Sequence, residues 1–406
     1  MRIGRTLPPA AAPLFLCDLF SGLRGIAAGA REEERAIEEL QAYFSKKYCF
    51  LVSSGKAALT LILLALKGIH PDRNQVLIPA FACYSVPSAI IRAGLRVQLC
   101  DIDPQTLDFD YDELAEKLKN PKLLCVISLH LFGLPSDVER VKRMRLDPAV
   151  TIVEDAAQAM GGEWMGKKLG TQGDVGFFSL GRGKALTAVE GGVILTDDED
   201  LRKHLEPYVA SLPNCTALKV CSQIVYALAL TFLLRPAFFW IPSAMPFLRL
   251  GETCFDSYFP LLRLSGFQAG LLRGIKEKLS RAHCVRKENV RFWIENIPNL
   301  IVKTIGKQQA IPDLIRFPLY ISNGNVVASV LDKSRQLGLG LAQTYPGAIH
   351  TIPDLKAQFD GQDFPNARRA SQEVVTLPVH EFLSVLDRQR IVRLLAVEEA
   401  AQGASG

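Results

Sequence analysis

The residues with the clearest chemical potential lie where apolar segments end. The stretch "VEDAAQAMGG", residues 153–162, places Glu154, Asp155 and Gln158 where a buried strand is expected to stop. A carboxylate beside a core strand is costly unless a cation meets it. A candidate cation, Lys184, lies about thirty residues later in the glycine-rich stretch "GFFSLGRGKALTAVEGG". A solvated lysine is the simpler interpretation of Lys184 alone.

Two further segments end in polar residues. In "SSGKAAL", Gly55 lies between a predicted strand and a predicted helix, where backbone amides and the helix dipole favour an anion. An ordinary strand-to-helix turn is the alternative. In "SLHLFG", His130 is the last residue of a predicted strand, and a single histidine at a strand end is more often structural than catalytic.

Taken together, these residues match the needs of one cofactor, pyridoxal phosphate. Its phosphate is bound by helix-terminal amides and hydroxyls, its ring nitrogen by a carboxylate, and its aldehyde by a lysine amine. The protonated ring nitrogen would then be the cation that balances Asp155. We therefore expect the early turn, Asp155 and Lys184 to meet at one site.

The first two hundred residues alternate between helical and strand patterns. Helices are predicted at 36–44, 56–67, 85–94 and 111–119, and strands at 48–54, 75–81, 96–103, 122–130 and 150–158. This alternation predicts βαβ units and a mostly parallel sheet with helices on both faces. Ligands of such sheets bind at the carboxyl ends of the strands, which is where the polar residues lie.

Composition excludes several classes of protein. The 406 residues are 49% hydrophobic and 22% charged, with a net charge of +5 spread along the chain, so we expect a globular protein that does not bind nucleic acid. The nine cysteines form no CxxC pair and no cluster with histidine, which predicts reduced thiols, a cytoplasmic setting and no metal site. Two prolines and Asp18 interrupt the apolar N-terminal patch, which disfavours a signal peptide.

From about residue 5 to 395 the chain resembles the DegT/DnrJ-type aminotransferases, pyridoxal phosphate enzymes of fold type I that aminate keto-sugar nucleotides. The resemblance is carried by "SSGKAAL", "LIPAFACYSVPSAI", "CDIDPQTLDFD", "SLHLFGLPSDVERV", "VEDAAQAMGGEWMGKKLGTQGDVGFFSL", "GKALTAVEGGVILTDD", "RLSGFQAGLL" and "FPNARRASQEVVTLPVH". It implies an α/β fold, with a large, mostly parallel seven-stranded sheet domain and a smaller C-terminal α+β domain.

The resemblance also divides the chain. It implies a large cofactor-binding domain over residues 1–205, a connecting long helix over 258–297 and a small domain over 298–406. Residues 206–257, where relatives have a short polar loop, are predicted to form an apolar helical insert. Residues 271–297 read as that long helix, and "LIRFPLYI" and "EVVTLPV" as strands of the small domain.

Roles for individual residues follow from the resemblance. Lys184 would be the Schiff-base lysine and the proton shuttle, Asp155 would pair with the ring nitrogen, and Gln158 would lie against the ring and its phenolic oxygen. The residues expected to bind the cofactor are Ser54, Gly55, Lys56, Ala57, Cys83, Tyr84, Asp155, Gln158, Ser179 and Lys184.

The implied reaction moves an amino group from an amino acid, usually glutamate, to a carbonyl acceptor. The resemblance also implies that the enzyme is a homodimer. Relatives that dehydrate sugars have histidine in place of the lysine, so Lys184 favours transamination.

Three positions depart from the family pattern. Lys56 and Ala57 replace a hydroxyl pair after the cradle glycine. Cys83 occupies the position of an aromatic that stacks on the cofactor, although Phe81 and Tyr84 are close by in sequence. Leu261 replaces an asparagine that relatives give across the dimer to the phosphate.

The largest departure is the insert. "VCSQIVYALALTFLLRPAFFWIPSAMPFL", residues 220–248, carries one charge, Arg235, and the proline after it divides the apolar run, which disfavours a transmembrane helix. A buried helical hairpin is one interpretation. The other is an in-plane membrane anchor, which would place the protein at the inner face of the membrane with a lipid-linked or amphiphilic acceptor. A third hypothesis is a non-catalytic cofactor-binding regulator or scaffold.

Overall fold

A seven-stranded sheet forms the centre of the protein. The computed structural model describes residues 3–245, 253–297, 302–304, 311–321 and 324–403. The strands of the central sheet are β1 (Tyr48–Val52), β2 (Gln75–Pro79), β3 (Arg96–Cys100), β4 (Leu123–Leu129), β5 (Thr151–Asp155), β8 (Val175–Ser179) and β9 (Gly192–Thr196). A separate two-stranded hairpin consists of β6 (Glu163–Trp164) and β7 (Lys167–Lys168).

The strand order is β1-β9-β8-β5-β4-β2-β3, with β9 antiparallel to both of its neighbours and the other pairs parallel. This confirms the predicted fold class. All seven residues of β4 are buried, as expected of a parallel strand covered on both faces. Leu129 of β4 pairs with Asp155, which pairs in turn with Phe177 of β8. The ends of β4 and β5 therefore lie level with each other at one edge of the sheet.

Seven helices accompany these strands. They are α1 (Leu16–Ala28), α2 (Ala30–Phe44), α3 (Gly55–Ile69), α4 (Ser85–Arg92), α5 (Tyr111–Lys117), α6 (Val138–Met144) and α7 (Glu199–Ala210). The sequence predicted α3, α4 and α5 within a few residues. It placed the start of α2 six residues late, at Ala36, and gave no helix at α1.

Beyond α7 the described residues add seven helices, two of them in the insert, and a smaller sheet. The helices are α8 (Ala217–Leu233), α9 (Trp240–Ser243), α10 (Gly266–Leu271), α11 (Ile275–Asn296), α12 (Gly324–Leu337), α13 (Pro365–Glu373) and α14 (Val385–Gly403). The strands β10 (Val302–Thr304), β11 (Arg316–Ile321) and β12 (Val374–Pro378) form an antiparallel sheet. The predicted long helix begins at Ile275 instead of 271, because Gly274 adopts a left-handed conformation with φ 66°. The domain boundaries at 205, 257 and 297 stay predictions.

The insert does not fold as two helices of similar length. α8 ends just before the Arg235–Pro236 break, and only the four-residue α9 follows it. Residues 246–248 of the segment singled out in the sequence lie outside the described residues. No helix within the described ranges is both long enough and apolar enough to cross a membrane.

Candidate active site

A cavity of about 380 Å³ opens at the carboxyl ends of β4, β5 and β8, a volume within the range of small-molecule sites. Eight of the ten residues predicted to bind the cofactor line it, and these are Ser54, Gly55, Lys56, Cys83, Asp155, Gln158, Ser179 and Lys184. The chain therefore gathers side chains that are up to 130 positions apart, because parallel strands bring their ends to a common edge.

Asp155, the last residue of β5, is a buried carboxylate that faces this cavity. Its Oδ1 accepts a hydrogen bond from the Ala157 amide at 2.9 Å. Burial raises the pKa of Asp155, and the Ala157 amide together with the charge of Lys184 opposes the rise. No cationic side chain of the described residues comes within ion-pair distance of Asp155. The site thus presents a carboxylate that a bound cation would stabilise.

Lys184 lies in the loop between β8 and β9 and lines the same cavity. Gly183, with φ 68°, turns the chain just before it. Behind the loop, the buried guanidinium of Arg286 donates to the Ala185 carbonyl oxygen at 3.0 Å. Among the described residues no carboxylate lies within ion-pair distance of the Lys184 ammonium. Its amine is therefore held in place by the main chain and left available to a ligand.

The opposite end of the cavity is built by the start of α3. Ser54 caps this helix by accepting from the Ala57 amide at 3.1 Å, and the first amides of a helix have no acceptor within it. A Cβ atom on Gly55 would lie 2.8 Å from the Ser179 Cβ, so only glycine lets the two segments approach this closely. Ser54, Gly55 and Ser179 together form a cradle for an anion. The side chain of Ala57 is fully buried and does not line it.

Lys56 lines the cavity but is already partnered. Its ammonium lies 3.3 Å from an Asp256 carboxylate oxygen and 4.3 Å from the centre of the Phe259 ring. The Lys56 ammonium, which could replace a lost hydroxyl contact to the anion, is thus shared with Asp256 at the end of the insert and with Phe259 just after it.

Gln158 joins the cavity to the C-terminal part of the chain. Its Oε1 accepts from the Phe132 amide at 3.0 Å, and its Nε2 donates to the Tyr345 hydroxyl at 2.8 Å. Tyr345 is buried, which raises the pKa of its phenol well above the usual value. The hydroxyl therefore stays protonated, and the orientation of Gln158 is fixed by one donor and one acceptor.

The three candidates for the residue that covers the cofactor ring are placed differently. Cys83 lines the cavity, with its Sγ 3.4 Å from Thr253 Oγ1. Tyr84 does not line it, and its hydroxyl donates to the Gly347 carbonyl oxygen at 3.2 Å. Phe81 packs edge-on against Tyr345. Of the three, Cys83 alone is a lining residue of the described cavity.

His130 and Glu154 form a fully buried pair beside Asp155. Ser136 donates its amide to His130 Nδ1 at 3.0 Å, so the ring proton is on Nε2, which donates to Glu154 Oε1 at 2.7 Å. The amides of Gly170, Gln172 and Gly173 also donate to Glu154. Burial would raise the pKa of Glu154, but the His130 hydrogen bond and these amides hold it below its usual value.

Two non-glycine residues of the cavity region have left-handed backbones, Phe132 with φ 59° and Val189 with φ 71°. For a β-branched residue such as Val189 this conformation is strained. Thr187 supports the turn by accepting from the Val189 amide and donating to the Leu180 carbonyl oxygen. Strain of this kind collects at functional sites, where the surrounding structure enforces it.

Several residues that contact the site have no role predicted from the sequence. Arg182 and Glu190 line the cavity, and both lie in the same glycine-rich stretch as Lys184. His130 lines it as well, in addition to its structural pairing. Tyr345 lies 187 positions from Gln158, so no local pattern could have linked them.

A second, more open depression of about 430 Å³ lies at the amino ends of the strands, next to Lys46 and Asp174. Most of its charged groups are already paired: Lys46 lies 2.9 Å from Asp197, and Lys167 lies 2.9 Å from Glu139. Asp174 pairs with Arg145, outside the depression, at 2.8 Å. The chemistry therefore belongs to the cavity at the carboxyl ends.

Residues 26–221 match the model of the DegT/DnrJ/EryC1/StrS aminotransferase family. The chain carries a domain of this family. The match confirms the predicted resemblance, and the DegT/DnrJ domain contains β1 to β9 together with the residues that line most of the cavity.

Among characterised proteins, the GDP-perosamine synthase of Escherichia coli O157:H7 is 33% identical over 155 residues, which are 38% of this chain and 42% of that protein. The alignments span about two fifths of the length of the curated relatives that the chain matches first.

Solved structures resemble nearly the whole chain. Helicobacter pylori PseC, an aminotransferase involved in the biosynthesis of pseudoaminic acid, has a TM-score of 0.78 at 17% identity and covers 97% of this chain and 99% of its own. The Escherichia coli GDP-4-keto-6-deoxy-D-mannose-3-dehydratase with bound hydrated PLP has a TM-score of 0.74 at 18% identity, over 97% of this chain and 100% of its own. The fold is therefore shared along the chain, including the part beyond the DegT/DnrJ domain.

Proposed function

We propose that this protein is a pyridoxal phosphate-dependent aminotransferase that moves an amino group from an amino acid, glutamate, to a keto-sugar. The observation that carries the proposal is that Asp155 and Lys184 line one cavity whose far end is the capped start of α3. A carboxylate, an amine and an anion cradle are the three groups that this cofactor requires.

The described residues fit the cofactor. The cradle of Ser54, Gly55 and Ser179 would hold the phosphate, and Asp155, which has no cationic partner of its own, would hold the protonated ring nitrogen. Gln158, fixed by Phe132 and Tyr345, would lie against the ring. Each assignment uses a group that the fold leaves unsatisfied or holds rigid.

When bound, the cofactor supplies an aldehyde that condenses with amines and a ring that accepts the electron pair left by a departing proton. The Lys184 amine would carry a proton from the α-carbon of the amino donor to the C4′ carbon of the cofactor, and would carry one in the opposite direction, from C4′ to the carbonyl carbon of the acceptor, in the second half of the reaction. Asp155 would keep the ring nitrogen protonated, and the buried Glu154 and His130 would fix the strand ends that position it. The presence of Lys184 favours amino transfer over dehydration, because relatives that dehydrate have histidine there.

The names of the relatives support a sugar substrate. One curated relative is a GDP-perosamine synthase, and another is an L-glutamine:2-deoxy-scyllo-inosose aminotransferase. We propose that the acceptor is a nucleotide-linked keto-sugar used in polysaccharide or secondary-metabolite biosynthesis. We further propose that the enzyme is a cytoplasmic homodimer, as the family resemblance implies.

Two other candidates have a specific observation behind them. A lipid-linked or amphiphilic acceptor is favoured by the apolar residues that α8 exposes. A non-catalytic scaffold is favoured by the loss of the hydroxyl pair after Gly55, where Lys56 is paired with Asp256 instead.

One experiment separates the three candidates. The protein is charged with pyridoxal phosphate, converted to the amine form with glutamate, and mixed with a panel of nucleotide-linked keto-sugars and long-chain aldehydes or ketones. Recovery of the aldehyde-form absorbance with a keto-sugar supports the main proposal, and recovery with a long-chain carbonyl alone supports the lipid-linked alternative. If glutamate leaves the spectrum of the charged protein unchanged, the catalytic proposal is wrong for that donor, and the same result with a panel of amino donors points to the scaffold.

A further inference from the structure

Helices α1 and α8 pack against each other and expose an apolar surface. On α8 the side chains of Leu218, Val225, Leu228 and Phe232 are exposed by 83, 64, 42 and 47%. On α1 those of Leu16, Phe20, Leu23 and Ile26 are exposed by 55, 65, 46 and 45%. We call these eight residues the α1/α8 face.

Helix α8 is apolar on more than the side that it packs against the protein. Its buried side carries Gln223, Ala227 and Thr231 at spacings of four residues, and Val220, Ile224 and Leu230 pack partly buried against the same core. Gln223 accepts from the Ser265 hydroxyl at 2.7 Å, and the Thr231 hydroxyl donates to the Ala227 carbonyl oxygen. The large apolar side chains of the α1/α8 face are therefore additional to those that the fold buries. An exposed apolar patch of this kind marks an interaction surface.

Three exposed arginines near the face have no acidic partner among the described residues. Arg24 of α1, Arg182 of the Lys184 loop and Arg235 after α8 are all exposed, and no described carboxylate lies within ion-pair distance of any of them. The one acidic residue on these two helices, Asp18, is buried and paired with Lys278 at 2.6 Å. The apolar segment 220–248 contains one cation, Arg235. The fold brings this segment next to α1 and the Lys184 loop, which contribute Arg24 and Arg182.

We infer that the α1/α8 face docks on an anionic lipid surface. Apolar side chains would enter the headgroup boundary, while Arg24, Arg182 and Arg235 would meet lipid phosphates. A second copy of the chain fits less well, because it would bring a like-charged set of arginines towards this one. The inference stands apart from the proposed function, since it uses none of the cofactor-binding residues.

The face adjoins the mouth of the cavity. Arg182, which lines the cavity, stacks over the Tyr226 ring of α8 at 5.8 Å. Glu190, also a lining residue, pairs with Lys219 of α8 at 2.7 Å. A protein docked through α8 would therefore hold its cavity entrance near the lipid headgroups.

Cosedimentation of the full chain, loaded with pyridoxal phosphate, tests the inference. The vesicles are phosphatidylcholine alone or phosphatidylcholine mixed with phosphatidylglycerol. We expect binding to the anionic vesicles that weakens with salt and falls by about fivefold for each of Arg24→Gln and Arg235→Gln. Val225→Glu with Phe232→Glu should reduce it more than tenfold. The matched control, Leu146→Glu with Met165→Glu, places the same charges at exposed apolar positions elsewhere and should bind as the wild type does.

A fluorescent reporter tests the inference without changing the apolar residues of the face. Four thiols are exposed, so Cys17, Cys254 and Cys284 are first replaced by serine, and an environment-sensitive dye is attached to Cys221 of α8. The dye should shift to the blue with anionic vesicles, whereas a dye on Leu146→Cys in the same background with Cys221→Ser should not. The inference is overturned if the wild type stays in the supernatant with every vesicle. It is also overturned if Val225→Glu with Phe232→Glu binds as well as its control, or if that pair instead dissociates a wild-type oligomer.

Discussion

At the scale of single residues, the site contains two neighbouring carboxylates with opposite environments. Glu154 accepts three main-chain amides and the His130 imidazole, so the fold stabilises its charge. Asp155 accepts the Ala157 amide and otherwise faces the cavity. Glu154 therefore has a structural role, whereas the Asp155 carboxylate is available to a cationic ligand.

The difference predicts an unusual effect of Asp155→Asn. Burial raises the pKa of Asp155, so its ionisation at neutral pH costs folding free energy in the cofactor-free protein. Asparagine removes that cost and should raise the free energy of unfolding by about 1 kcal/mol at pH 7. The gain should fade as the pH falls through the raised pKa, where Asp155 takes up its proton. Thermal denaturation across pH measures it.

The same substitution should weaken cofactor binding by about tenfold, because the ring nitrogen loses its carboxylate. Equilibrium dialysis of pyridoxal phosphate against both proteins provides the measurement. A variant that is less stable when cofactor-free, yet binds the cofactor as tightly, would contradict this account of Asp155.

Glu154→Gln should have the opposite effect on stability. A glutamine amide would place a donor where the three main-chain amides already donate, and we expect a loss of about 3 kcal/mol at pH 7. The pKa of Glu154 is lowered in the fold, so its contribution is present above the unfolded pKa of about 4.3 and is lost as the pH falls below it. Urea unfolding at pH 7 and pH 4 should therefore show a difference that shrinks at the lower pH.

At the scale of elements, close packing between helices places α1 next to the rest of the fold. Gly25 of α1 lies so close to α10 that an added Cβ would be 2.1 Å from the Gly266 carbonyl oxygen. Gly270 of α10 approaches the Ser21 carbonyl oxygen of α1 in the same way. Because this contact lies between main chains, neither side can yield by changing a rotamer.

Gly25→Ala should thus displace α1 and lower the free energy of unfolding by about 1–3 kcal/mol. Gly68→Ala is the matched control, since an added Cβ there would meet His204 at an ordinary 3.4 Å and alanine favours the helix. Chemical denaturation compares the two. Equal stabilities for the two variants would show that the contact between α1 and α10 is not tight in solution.

Elements with a strong local signal could be predicted from the sequence. The strands β1 to β5 are predicted as short apolar runs between helical stretches, and several residues that line the cavity follow their carboxyl ends. β9 has no predicted counterpart. The start of α2 was placed late because "AREEER" has no apolar periodicity, although the charges suit an exposed first turn. α1 has no predicted counterpart because the apolar N-terminal patch is weighed only as a signal peptide, although Leu16, Phe20 and Leu23 recur at helical spacing.

At the scale of the whole molecule, the site depends on contacts that no local pattern encodes. Tyr345 reaches Gln158 from the C-terminal part of the chain, and Arg286 of α11 holds the main chain of the Lys184 loop. Both contacts span more than one hundred positions, so only the folded chain reveals them. The position of α8 also depends on a distant contact, because the Ser265 hydroxyl donates to the buried Gln223 of this helix.

The central claim is that one amine, that of Lys184, bonds to the cofactor. The direct measurement is to load the protein with pyridoxal phosphate, reduce it with borohydride, digest it and locate the modified lysine by mass spectrometry. We expect the modification on Lys184, and we expect Lys184→Ala to lose both the modified peptide and the visible absorbance of the bound cofactor. Modification of Lys56 or another lysine in its place, or unchanged absorbance in Lys184→Ala, would contradict the account.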